Sequence, residues 1–315
     1  MKRLRRCMLF VPSAQPRKLS KALTLEVDGL ILDLEDAVTV DKKTEAREWL
    51  KQTLLETDFG GRERAVRINA LDTEFGFEDI TVIVGGKPDS IVLPKVTSPQ
   101  DILIADKLVS QAERQAALTQ GSVEIIALLE MPEAIECVVD IAKSNPRLTG
   151  LIFGAGDFTR ETHGAVTESR VELLYPMTKI VQAARIAHID ALDSPAFNVR
   201  DTKETEREGL QAARLGYDGK TAIHPNQIEA INRVFTPSAA QMDYWLRVID
   251  AFKQSEQEKK GATTVDGKVV EMPHVEMAAR ILGVAKKTGV LDEQGLERLS
   301  WAETALTSWR AARGR

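Results

Sequence analysis

Along the first 235 residues, short apolar runs rich in β-branched side chains alternate with longer stretches of helical period. The runs are CMLFVPS (7–13), GLILDLEDA (29–37), RAVRINA (64–70), SIVLPKV (90–96), EIIALLE (124–130), GLIFGAGDF (150–158), HIDALDSP (188–195) and KTAIHP (220–225). Between them, segments such as KKTEAREWLKQTLLE, PQDILIADKLVSQAERQAAL and PEAIECVVDIAKS repeat apolar residues at helical spacing. The last two open on Pro, whose missing N–H costs nothing in a first turn. Strand and helix in strict alternation predict βαβ units around a parallel sheet. Eight such units predict an α/β chain folded as a (β/α)8 TIM barrel over residues 1–235. Beyond it the strand pattern stops. A helix entered through Thr236, Pro237 and Ser238, a turn-like stretch leading to a second helix after Pro273, and a last helix over 292–312 predict a C-terminal helical appendage, 236–315, acting as a lid or oligomerisation segment.

The placement of polar residues sharpens this. Run after run is apolar at its start and ends in Asp, Glu, Arg, Asn, Lys or His. Barrel enzymes keep their chemistry at the carboxyl ends of the strands, so these ends should share one rim.

Composition narrows the classes. A net charge of −5 over 315 residues excludes an electrostatically driven nucleic-acid binder. No apolar run approaches the length of a membrane span, and the basic start MKRLRRCMLFVP stops at Pro12, too soon for a signal peptide. The two cysteines, Cys7 and Cys137, sit in separate apolar runs and read as buried free thiols in a reducing cytoplasm. His163, His188, His224 and His274 show no zinc-ligand spacing, and neither GxSxG nor GxGxxG occurs. Lys2, Arg3, Arg5 and Arg6 precede the first strand and should lie at the far end of the barrel, whereas Arg17 and Lys18 follow it on the active face.

The rim gathers Glu35 and Asp36 from the second run, Arg67 and Asn69 from the third, Lys95 from the fourth, Glu130 from the fifth and Asp157 from the sixth. So many carboxylates around one mouth repel unless a cation joins them, and Mg²⁺ is commonly held by one or two carboxylates with water and substrate oxygens completing the shell. Glu130 and Asp157 are the expected direct ligands, with Glu35 and Asp36 accepting hydrogen bonds from metal-bound water. Each carboxylate alone reads more readily as a solvated strand end or a helix cap than as a ligand. Arg67 can hold a substrate carboxylate or an enolate oxygen, or form a structural ion pair with Glu35 or Asp36. Gly154, Ala155 and Gly156 let a ligand approach the backbone before Asp157. Lys95 and His224 are further candidates for substrate contact.

Taken together, RRCMLFVPS, DGLILDLEDAVTVDKKTEAR, VRINALDTEFGFEDI, IVLPKV, ALLEMPEAI, IFGAGDFTRETHG, AARIAHIDALDSP and GYDGKTAIHPNQIEAINRVFTPS, spanning 5–238 in order, resemble the citrate lyase beta chain and malyl-CoA lyase family of HpcH/HpaI aldolase-like enzymes. The resemblance implies a barrel assembled as a homo-oligomer, trimer or hexamer, with Mg²⁺ on Glu130 and Asp157 and substrate on Arg67. It also implies that VDGKVVEMP (265–273) closes over a site, Glu271 standing where the family usually carries Asp and serving as a catalytic acid. Met131 follows Glu130 where Thr or Ser is usual. The expected activity is Mg²⁺-dependent carbon–carbon cleavage of a small-molecule acyl-CoA, citramalyl-CoA or malyl-CoA, to acetyl-CoA and an α-keto acid. The alternatives are a citrate lyase beta subunit acting on a citryl thioester of an acyl carrier protein, an aldolase acting on free hydroxy-keto acids, and a non-catalytic ligand-binding barrel.

Overall fold

A computed structural model describes residues 3–258 and 260–312; Lys2, placed above at the far end of the barrel, lies outside them. Eight strands pair in parallel and in sequence: β1 (Cys7–Pro12), β2 (Gly29–Asp33), β3 (Glu63–Arg67), β4 (Ser90–Leu93), β5 (Glu124–Leu129), β6 (Leu148–Phe153), β7 (Asp190–Asp193) and β8 (Gly219–Ala222). The barrel closes where β8 pairs with β1, Cys7 opposite Lys220, Met8 opposite Thr221 and Leu9 opposite Ala222. Helices connect every strand to the next, as the alternating pattern requires.

The strands are shorter at their carboxyl ends than the apolar runs suggest. β2 stops at Asp33, so Leu34 to Ala37 form a loop, and β6 stops at Phe153, so Asp157 sits on the helix Ala155–Glu161. These polar ends are loop and first-turn residues, which is where barrel enzymes carry their functional groups. The helix expected from PEAIECVVDIAKS is split at Cys137, whose thiol donates to the carbonyls of Thr97 and Glu133.

Alternation along the strands separates two cores. Side chains facing outward pack under the helices, Leu30, Leu32, Val66, Ile91, Ile125, Ala127 and Leu151 among them. Those facing inward, Met8, Ile31, Ala65, Val92, Ile126, Leu128, Ile152 and Leu192, fill the middle of the pore. Below this layer Arg5 spans the amino-terminal end. It meets Glu63 at 2.7 and 2.8 Å, Glu124 at 2.7 Å and Asp190 at 3.2 Å, while Arg3 pairs with Asp89 and Arg6 with Asp28. Burial lowers the Arg5 pKa, but these carboxylates outweigh it and hold the guanidinium charged.

The chain divides into two compact units, up to Phe235 and from Thr236 onward. In the second, helices Ala239–Gln257, Met272–Lys287 and Glu293–Ala311 share an apolar core of Val248, Phe252, Val275, Leu282 and Leu299. The turn-like stretch ahead of Pro273 forms a small hairpin of β9 (Thr263–Val265) and β10 (Lys268–Val270), turned by Asp266 and Gly267 at φ 49° and 74°. Asp-Gly is the pair that a tight left-handed hairpin turn demands. Among the described residues no helix is long and apolar enough to cross a membrane.

Candidate active site

At the carboxyl end of the barrel a cavity of about 320 Å³ opens between two unlike walls. One wall is charged: Asp33, Asp36, Arg67, Glu130 and Asp157. The other is apolar and includes Phe10, Pro12, Pro195, Phe197 and Ile223. Its floor is the upper edge of the pore core, Leu128 and Ile152.

Arg67 closes β3 and is buried. Its Nε and Nη2 each donate to Asp33 at 2.7 Å, its Nη1 pairs with Glu35 at 3.0 Å and Asp36 at 3.2 Å, and its guanidinium lies 5.1 Å from the centre of the Phe10 ring. Burial alone would lower its pKa; Asp33 first, then Glu35 and Asp36, reverse the shift. The ion pair foreseen with Glu35 and Asp36 is present, and Asp33 is its principal member. A strand running to 37 puts the rim at Glu35 and Asp36; with β2 ending at 33, Asp33, on the inward face with Gly29 and Ile31, is itself the strand-end residue.

Glu130 follows β5 and is buried. Its Oε1 accepts the backbone N–H of Lys95 at 2.9 Å, and Lys95 holds a left-handed φ of 50° to present it. Among the described residues no Lys or Arg forms an ion pair with Glu130. Burial pushes its carboxyl up to about 8, with the charges of Glu35 and Asp157 acting in the same direction. Gly154 makes room for it, since a Cβ there would stand 2.5 Å from the Glu130 Cβ. Gly154, Ala155, Gly156 and Asp157 all line the cavity, and Asp157 also pairs with Arg160. Glu35 lies just behind the charged wall. Burial raises its pKa against the pull of Arg67 and of Lys95, whose Nζ is 3.2 Å away.

Two residues placed on the rim by sequence do something else. Asn69 lies past the end of β3 and turns into the helical layer, where its amide meets Asp79 and the carbonyl of Leu34. Its Oδ1 accepts from Lys43 at 2.5 Å, and the same ammonium donates to the carbonyls of Leu34 at 3.0 Å and Glu35 at 2.9 Å. Lys43 thereby fixes the backbone that carries Glu35 and Asp36, a role no motif announced. His224 caps the turn Pro225–Gln227, its Nδ1 accepting the N–H of Asn226, while the neighbouring Ile223 faces the cavity. Lys95 reaches the mouth through Glu35. Glu271 belongs to the second unit, where its N–H donates to His274 Nδ1 at the start of Met272–Lys287.

The carboxylates at the mouth exceed the cations that face them. Among the described residues no three of His, Cys, Asp and Glu converge closely enough to bind a metal unaided. Glu130 and Asp157 offer two oxygen donors of the hard type that alkaline-earth ions prefer, enough only if water or substrate supplies the rest.

The family model for HpcH/HpaI aldolase/citrate lyase matches residues 6–225, the whole barrel. The chain belongs to this family. It is 33% identical to the citrate lyase subunit beta of Escherichia coli over 291 residues, covering 92% of this chain and 96% of that one. It is 35% identical to a (3S)-malyl-CoA thioesterase of Cereibacter sphaeroides over 281 residues, covering 89% and 94%. Among solved structures it is similar to the CitE protein of Mycobacterium tuberculosis in complex with magnesium, acetoacetate and coenzyme A, with a TM-score of 0.73, 27% identity, and coverage of 90% and 98%. The family's enzymes are of lyase and aldolase type.

Proposed function

We propose that the protein is a Mg²⁺-dependent carbon–carbon lyase for a 3-hydroxy-carboxyl acyl-CoA of malyl or citramalyl type, releasing acetyl-CoA and an α-keto acid. The observation that carries this reading is the buried Glu130 beside Asp157 on a cavity wall that also presents Arg67. The two carboxylates would hold the ion, which when bound polarises the hydroxy-carboxylate end of the substrate. A carboxyl pushed up to about 8 by burial is one that a cation would stabilise in its charged form.

The chain's own residues do the rest. Asp33, Glu35 and Asp36 hold Arg67 charged on the wall, and the one Nη2 N–H that Asp33 does not take can meet the thioester oxygen as an enolate develops. Asp36, exposed beside it, is the rim carboxylate placed to take the hydroxyl proton. Glu271, the acid that the family resemblance nominates, would return a proton to the enolate carbon. Mg²⁺ in the complex with the related CitE protein supports the cofactor assignment, and coenzyme A in the same complex supports the thioester.

A panel of malyl-CoA, citramalyl-CoA and citryl-CoA, assayed with and without Mg²⁺, tests the proposal. Release of acetyl-CoA only with metal is expected. Free coenzyme A in its place would indicate hydrolysis, the activity for which the Cereibacter relative is named. Similarity over nearly the full length of the Escherichia coli citrate lyase subunit favours a second reading, in which the thioester is carried on a protein. Inactivity on every CoA ester together with co-purification of an acyl carrier protein would decide for it.

A further inference from the structure

The apolar wall of the cavity contains one large side chain that nothing in the reaction requires. Phe197 lies in the loop between β7 and the helix Thr202–Leu215, lines the cavity, and is 49% exposed. Its place on the cavity wall, beside Pro195 and Ile223, is what sets it apart from a stray exposed apolar residue. The loop is tied down on both sides of it. Ala196 beside it is fully buried, with its carbonyl taken by Gln227 Nε2 at 2.6 Å, and the carbonyl of Asn198 takes the N–H of Asp201 at 3.2 Å. The backbone on either side of Phe197 is thus held, and the ring lies against the backbone before Asp157. Its Cζ and Cε1 stand 3.2 and 3.4 Å from where a Cβ on Gly156 would be, so a side chain at 156 would push the ring aside by a few tenths of an ångström.

From this we infer that Phe197 is a specificity-determining residue: with Ile223 and Pro195 it bounds the space for the group on the hydroxyl-bearing carbon, admitting hydrogen or methyl and restricting anything larger. The inference rests on the reaction proposed above. A substrate whose carboxylate and hydroxyl lie toward Glu130 and Asp157 has two remaining substituents on that carbon, the acyl-CoA arm that is cleaved and the variable group, and the neighbouring wall is apolar. A site of this kind discriminates by volume, where one methylene changes kcat/KM by roughly 10- to 200-fold.

The test compares kcat/KM for malyl-CoA, citramalyl-CoA and the ethyl-bearing homologue in wild type, Phe197→Leu and Phe197→Ala. Phe197→Ala is expected to raise the ratio of the ethyl ester to malyl-CoA by about tenfold or more, with Phe197→Leu between. An unchanged ratio, or an equal loss on all three esters, overturns the inference and assigns the ring to general substrate contact. Should wild type cleave no ester, the lyase reading fails separately. The size limit is then read from Mg²⁺-dependent binding of glyoxylate, pyruvate and 2-oxobutyrate by calorimetry, where an affinity ratio indifferent to Phe197→Ala likewise overturns it.

Discussion

Arg67 and Asp33 face each other across the ends of two adjacent strands in a two-pronged ion pair, both contacts at 2.7 Å. Paired N–H···O bonds of this kind fix orientation as well as charge. Asp33→Asn keeps the shape but removes half of the clamp, leaving Arg67 to Glu35 and Asp36. We expect kcat/KM to fall by about 10- to 100-fold with little change in Mg²⁺ affinity, as for other residues that orient a catalytic group. Steady-state kinetics beside metal titration separates the two effects. A parallel loss of metal binding would contradict this assignment.

Glu130 and Gly154 are coupled by space alone. A methyl at 154 would lie 2.5 Å from the Glu130 Cβ and 2.9 Å from its Oε2, so Gly154→Ala must shift the carboxylate. The expected result is Mg²⁺ affinity weakened by about tenfold or more, with the fold intact by circular dichroism. Wild-type affinity in the variant would show that Glu130 does not bind the metal.

Asp157→Ala and Glu130→Gln should each abolish turnover and the calorimetric signal of Mg²⁺ binding. Wild type treated with a chelator should lose activity and regain it when Mg²⁺ is restored. Turnover that survives chelation would remove the ion from the mechanism.

Away from the site, Asp193 is fully buried between Arg170, at 2.8 and 3.0 Å, and Lys220, at 2.7 Å. Burial raises its pKa, but the two cations outweigh it and hold the carboxyl below its ordinary value. A lowered folded pKa contributes stability above the unfolded value that disappears as pH falls through the folded one. Asp193→Asn should cost about 3–5 kcal/mol at neutral pH, since it leaves two buried cations only Glu208, 2.9 Å from Lys220 and 3.9 Å from Arg170. It should also flatten the acid limb of the stability curve, measured by urea unfolding between pH 7 and pH 3. A steep acid limb in the variant would place that proton elsewhere.

The barrel was legible because each strand is a short apolar run and each helix carries its own period, both local signals. Gly154, Ala155, Gly156, Asp157, Glu130 and Arg67 were legible as strand-end chemistry and all reach one cavity. What sequence hid was pairing. Lys43 lies ten residues beyond Asp33 and works by saturating two backbone carbonyls, which no residue pattern encodes. Asp33 was hidden because a run continuing to 37 puts the rim at Glu35 and Asp36 and leaves Asp33 as an interior strand position, whereas β2 ends at Asp33 itself. Phe197 was hidden because a loop aromatic carries no period.

The pore core has a consequence for traffic. Met8, Ile31, Ala65, Val92, Ile126, Ile152 and Leu192 seal the barrel between the Arg5 cluster below and the Arg67 cluster above. Glu63 and Arg67 lie on one strand, roughly 13 Å apart along it, with no polar side chain between them facing inward. With Thr221 the polar member of an otherwise apolar plug, protons, water and product are expected to pass by the carboxyl-end face on which the substrate arrives.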